Sequence, residues 1–194
     1  MKNLSVSTDG GRTWKAIADK AGGSGCILSF ADAKNGWFGF GNKFQITADG
    51  GKTWNELILP EGVTRAAAVS LRTPMEGYLM DDAGVLHITG DGGKTWSSRS
   101  LDIESTGIMG FVNSGFVNEI PQAAIRFVDA RHGLVVLGLT GRAGMIAVRT
   151  ADGGKTWKEE TLPVKLFGAP YISRDGRFVT INKWGEGTAL LKYE

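Results

Sequence analysis

An all-β fold built from a repeated four-stranded unit is what this sequence predicts, on three observations. The octapeptide Thr-Ala-Asp-Gly-Gly-Lys-Thr-Trp stands at 47–54 and again, letter for letter, at 150–157, with near copies at 7–14 and 89–96. The third residues of the copies, Asp9, Asp49, Asp91 and Asp152, are 40, 42 and 61 residues apart, and a period of about 40 suits one four-stranded propeller blade. The 29 glycines fall mainly at turn positions, as many short strands joined by tight turns require.

The elements follow in order. The N-terminal segment supplies two strands, Leu4–Ser7 and Thr13–Ala18, around the first octapeptide. Three fuller units come next. In each, an apolar strand A (Cys26–Phe30, Ala66–Leu71, Ala124–Phe127) leads through a turn to strand B (Trp37–Phe40, Tyr78–Met80, Leu134–Leu137). Strand C follows (Phe44–Ile46, Val85–Ile88, Met145–Val148), and the octapeptide turns the chain into strand D (Trp54–Leu59, Trp96–Leu101, Trp157–Leu162). The C-terminal segment adds three strands, Pro170–Ser173, Arg177–Ile181 and Thr188–Tyr193. The expected organisation is a single domain over 1–194, with blade parts at 1–19, 24–60, 64–102, 122–163 and 166–194 and an insert at 102–122.

That sum is one strand more than four blades need. Three arrangements account for it: a four-bladed ring with one strand displaced, an arc that closes by self-association, or a piece of a longer chain. An arc exposes strand edges and apolar blade faces, which makes a homo-oligomer a candidate.

The octapeptide has a physical task of its own. Asp-Gly-Gly tolerates the positive φ of a tight C–D hairpin, and the Asp carboxylate can accept hydrogen bonds from backbone N–H groups of the turn. The Trp that follows can pack in the seam between blades. Asp9, Trp14, Asp49, Trp54, Asp91, Trp96, Asp152 and Trp157 are therefore read as structural. One carboxylate per turn is thin coordination for a metal, so no metal or cofactor is expected.

The pattern Ser/Thr-x-Asp-x-Gly-x-Thr-Trp resembles the bacterial neuraminidase repeat, or Asp-box. The fuller unit, Phe30-x-Asp32…Gly36-Trp37…Thr47-x-Asp49-Gly-Gly-Lys-Thr-Trp54, is most similar to the photosystem II stability/assembly factor-like group of Asp-box propellers. The resemblance covers nearly the whole chain and implies a sialidase-like fold. It leaves function open, because hydrolases and assembly factors share the repeat. The resembling proteins are usually exported, periplasmic or lumenal. No signal peptide is visible after Met1, so localisation stays open.

Bulk properties exclude some classes. Charged residues make up 22% of the chain and the net charge is +2, too little excess to argue for nucleic-acid binding. No stretch approaches the roughly 18 apolar residues of a membrane-spanning helix. A single cysteine, Cys26, allows no intrachain disulfide. His87 and His132 lack metal-ligand spacing.

In a propeller the A–B and C–D turns share one face, and the D–A and B–C loops share the other, which usually carries the site. The D–A connection after Trp96 is the outlier: its insert accounts for the 61-residue interval. Ile108, Met109, Phe111, Phe116 and Val117 are apolar for a solvated loop. They suggest either a partner-binding element or an extra hairpin that plugs the channel. Phe111, Phe116 and Glu119 join Asn42, Lys43, Asp81, Asp82, Arg142 and Glu186 as candidate ligand- or partner-binding residues. Paired Asp81 and Asp82 could serve acid/base chemistry, but neighbours on a strand point to opposite faces, so a solvated turn is the simpler expectation.

The expected function is a non-catalytic binding or assembly propeller that recognises a protein or glycan through this loop face. A glycoside hydrolase of sialidase type and a structural or oligomerising subunit are the alternatives. Against the hydrolase, the resemblance implies an Arg-Ile-Pro segment, which this sequence lacks.

Overall fold

The computed structural model describes residues 4–18, 26–103, 108, 110–111, 120–121, 123–139, 142, 144–162, 168–183 and 187–192. Its strands, in chain order, are β1 (Leu4–Val6), β2 (Lys15–Ala18), β3 (Ile27–Phe30), β4 (Gly36–Phe40), β5 (Lys43–Thr47), β6 (Asn55–Leu57), β7 (Ala66–Leu71), β8 (Gly77–Asp81), β9 (Val85–Thr89), β10 (Ser97–Ser100), β11 (Gly110–Phe111), β12 (Ile120–Pro121), β13 (Ala123–Phe127), β14 (Gly133–Gly138), β15 (Met145–Thr150), β16 (Lys158–Thr161), β17 (Ala169–Ile172), β18 (Phe178–Lys183) and β19 (Gly187–Lys192). Among the described residues there is no helix.

The sheets are antiparallel meanders arranged as a four-bladed β-propeller. Blade 1 is β3-β4-β5-β6, blade 2 is β7-β8-β9-β10, blade 3 is β13-β14-β15-β16, and blade 4 has the three strands β17-β18-β19. Strands β7, β8 and β14 are buried along their whole length, which explains their largely apolar composition. The outer strand β10, Ser-Ser-Arg-Ser, is polar and mostly exposed.

Apolar side chains fill the seams between consecutive blades. Trp37 and Phe44 of blade 1 pack with Val69, Leu71 and Leu79 of blade 2. Tyr78 and Leu86 of blade 2 pack with Phe127 and Val148 of blade 3. Leu134 and Val136 of blade 3 pack with Ile172, Val179 and Ile181 of blade 4. Gly77 has a packing reason of its own: a Cβ there would land in the Trp37 ring.

The fourth blade reaches the first through Arg174, whose Nη2 donates to the Ala31 carbonyl at 3.1 Å. All four innermost strands wall a central cavity of about 250 Å³. Four blades are observed, with the C-terminal segment supplying the fourth by itself and the N-terminal strands displaced from it. The displacement involves a pair of strands: β1 and β2 form a two-stranded sheet of their own and join neither β19 nor β6. That hairpin rests on blade 1, where Gly51 faces Ile17. The seam between blades 4 and 1 stays partly open, with Leu28 49% exposed on one wall and Tyr171 60% and Leu190 65% exposed on the other.

Each octapeptide closes in the same way. Thr47 Oγ1 donates to Asp49 Oδ1 (2.9 Å) and accepts from Gly51 N–H (2.8 Å), and Thr53 Oγ1 donates to Asp49 Oδ2 (2.6 Å). Asp9, Asp91 and Asp152 repeat the pattern. The glycines take the positive φ the turn requires, 78° at Gly50 and 85° at Gly51. The tryptophans vary more than their sequence suggests. Trp96 crosses the seam to Trp37, with ring centroids 5.6 Å apart. Trp54 packs on Phe30 and Phe38 of its own blade, and Trp157 on Phe127 of its own blade. Trp14 is 67% exposed, because no blade wall stands beyond the β1–β2 hairpin to receive it.

Candidate functional site

Hydrogen bonds between turns separate the two faces of the propeller. On one, the octapeptide turn of each full blade is tied to its A–B turn: Gly50 N–H to Lys34 O, Gly92 N–H to Met75 O and Gly153 N–H to Arg131 O, at 2.8–2.9 Å. On the other, D–A connections are tied to B–C turns: Ala66 N–H donates to Gly41 O (2.9 Å) and Asp82 N–H to Arg65 O (3.2 Å). This second face gathers Asn42, Lys43, Asp81, Asp82 and Arg142, which are far apart in sequence.

The insert belongs to the same face. Ile108 N–H donates to Asp82 O at 3.0 Å, and Ile108 bridges to Leu139 at the end of β14. The insert thus begins by spanning the B–C turns of blades 2 and 3. Beyond it, β11 and β12 pair as a short antiparallel hairpin, Gly110 with Pro121 and Phe111 with Ile120. Phe111 is placed by its backbone in that hairpin. Phe116, Glu119 and Glu186 lie outside the described residues.

Asp81 departs from the solvated-turn expectation. It is 8% exposed at the end of β8, and its Oδ2 lies 3.0 Å from His87 Nε2. Its Oδ1 accepts from Val85 N–H at 2.8 Å. Burial alone would raise this carboxyl, but hydrogen bonds from His87 and Val85 outweigh it and hold the group below its ordinary value. The other ring nitrogen, Nδ1, lies 2.8 Å from Ser98 Oγ. Strand register creates this chain of three, since His87 stands opposite Ser98 in the β9–β10 pair. Asp82, in the turn itself, is half-buried.

The remaining candidates are more open. Asn42 and Lys43 are exposed in the β4–β5 turn. Arg142 is paired: its Nη1 lies 3.2 Å from Glu159 Oε1. Among the described residues no group of three or more His, Cys, Asp or Glu could hold a metal ion, and no helix is long and apolar enough to cross a membrane.

Sequence reading assigned no role to three side chains that the fold makes conspicuous. His87 and Ser98 carried no spacing signal, because their pairing runs across two strands. Arg126 did leave a trace, as a lone charge in the apolar strand Ala-Ala-Ile-Arg-Phe.

Comparison with known proteins agrees with this architecture. A family model described as BNR/Asp-box repeat matches residues 5–16 and 45–56. Among solved structures, the chain is similar to YCF48 bound to D1 peptide, with a TM-score of 0.58 and 22% identity over 87% of this chain and 53% of that one. It is also similar to the GH74 enzyme of Niastella koreensis (TM-score 0.56, 17% identity, 87% of this chain and 28% of that one). An ancestral GH74 enzyme matches with a TM-score of 0.55 and 14% identity, over 93% of this chain and 24% of that one. No curated protein matches. The chain spans about half the length of the YCF48 chain and about a quarter of the two enzymes. At these identities the likeness concerns the fold: an Asp-box β-propeller.

Proposed function

We propose that this chain is a non-catalytic binding or assembly propeller that recognises a protein partner through its loop face. The carrying observation is the anchored insert. Ile108 ties it to Asp82 of blade 2 and Leu139 of blade 3, so the connection that lengthens the third interval enters the loop face between two blades. Long connections inside a compact repeat are where binding surfaces arise. The likeness to YCF48, whose structure holds a D1 peptide, supports a peptide as partner.

A hydrolase would need two carboxylates about 5–10 Å apart across one cleft. Among the described residues of this face, Asp81 is taken up by His87 and Glu159 by Arg142, which counts against a catalytic role for these two carboxylates.

Titration calorimetry with a synthetic D1 peptide tests the proposal. Saturable binding, lost when 110–121 is replaced by a short Gly-Ser turn, is the expected result. Binding that survives the replacement would move the site elsewhere, and turnover of a sialylated glycan would replace the reading with the enzymatic one.

A further inference from the structure

On the octapeptide face, the seam between blades 3 and 4 opens into a cleft of about 460 Å³. Strand register builds one of its walls. Arg126 of β13 stands opposite Leu134, Leu134 opposite Arg149, and Arg149 opposite Lys158. Cross-strand partners share a sheet face, and all four of these residues line the cleft. The seam between blades 2 and 3 is apolar, whereas this one presents three cations.

The two carboxylates that also line the cleft are engaged. Glu160 Oε2 pairs with Arg149 Nε at 3.2 Å. Asp175 accepts from Ser173 Oγ and Arg177 N–H within its own turn. Arg126 has no such partner: among the described residues the groups acting on its charge are Tyr171 and Arg174, and burial disfavours its charged form. Its Nε is buried without an acceptor. A buried cationic N–H donor without an acceptor is unfavourable until one arrives.

We propose that this cleft binds an organic carboxylate, with Arg126 as its charge partner and Lys158 at the rim. The planar guanidinium matches a carboxylate in two parallel hydrogen bonds. Leu134 and Val128 give the carbon body of the acid an apolar surface. The site is separate from the loop face and does not depend on what that face binds.

The test is a two-dimensional ¹H–¹⁵N titration with sodium benzoate, and with inorganic phosphate at matched ionic strength. Benzoate is expected to move the Arg126 Nε–H resonance saturably and to bind more tightly than phosphate. Arg126→Gln should weaken benzoate binding by at least about tenfold; Arg126→Lys, which keeps the charge but not the fork, should also weaken it. Exposed Lys158→Gln, which leaves the seam packing intact, should cost a few-fold and keeps the test valid if the Arg126 variants do not fold. A stationary Arg126 Nε–H resonance, equal affinity in wild type and all three variants, or tighter binding of phosphate would each overturn the proposal.

Discussion

Tyr78 and Phe127 stack face to face across the seam between blades 2 and 3, ring centroids 3.7 Å apart and planes 3° from parallel. The two residues are nearly fifty positions apart in sequence and on successive blades, so the stack measures how firmly one repeat grips the next. Phe127→Ala should destabilise the fold by about 3–5 kcal/mol, since it empties a fully enclosed ring site. In a double-mutant cycle with Tyr78→Ala, chemical denaturation should give a coupling of about 0.5–1.5 kcal/mol. Additive effects would mean that the stack contributes nothing beyond burial.

Gly77 offers a sharper steric test. A methyl group there meets the Trp37 ring, which is fully buried and has nowhere to move. Gly77→Ala should cost about 1–3 kcal/mol through overpacking. Gly90→Ala, where the added carbon meets nothing within 4 Å, should stay within about 0.5 kcal/mol. Comparison of urea midpoints for the two variants decides the point.

The octapeptide aspartates predict an acid transition. Hydrogen bonds from Thr13 hold the Asp9 carboxyl down at about 2, and those from Thr53 do the same for Asp49. These values lie below the roughly 3.9 of an unfolded aspartate, so the unfolded chain binds more protons as the solution is acidified. Their contribution is therefore complete above about pH 4 and is lost as the pH falls through about 2. Circular dichroism melting curves should show Tm dropping across that window. The drop should shrink in Asp49→Asn; an unchanged pH profile in that variant would remove the explanation.

Asp81 and His87 form a coupled pair at the edge of the loop face. Asp81→Ala leaves His87 Nε2 buried without its acceptor, at a cost of about 1–3 kcal/mol. Ser98→Ala should cost less, because Ser98 is exposed and water can replace it. Equal costs for the two variants, measured by denaturant unfolding, would contradict the assignment of Asp81 as the buried partner.

Much of this fold could be read directly. Asp49, Gly50, Gly51 and Thr53 specify their hairpin within a handful of contiguous residues, and the same signal recurs on every copy. Strand order, the four-stranded unit and the place of the insert follow from that spacing. The candidate site was less legible. Asn42, Lys43, Asp82 and Arg142 are short-range turn features and could be assigned to loops. The burial of Asp81 depends on His87, which reaches it only because β8 and β9 pair in one particular register.

By itself, the sequence determined the local turns and the all-β class, because both depend on residues within a few positions of one another. Only the tertiary structure decided how the surplus strands settle, with β1 and β2 paired together and blade 4 left with three strands. It alone aligned Arg126, Arg149 and Lys158 on one wall and left Arg126 Nε without an acceptor. The first outcome depends on how whole blades meet, which is set by seam packing between side chains some forty or more residues apart; the second depends on strand register across the four strands of blade 3.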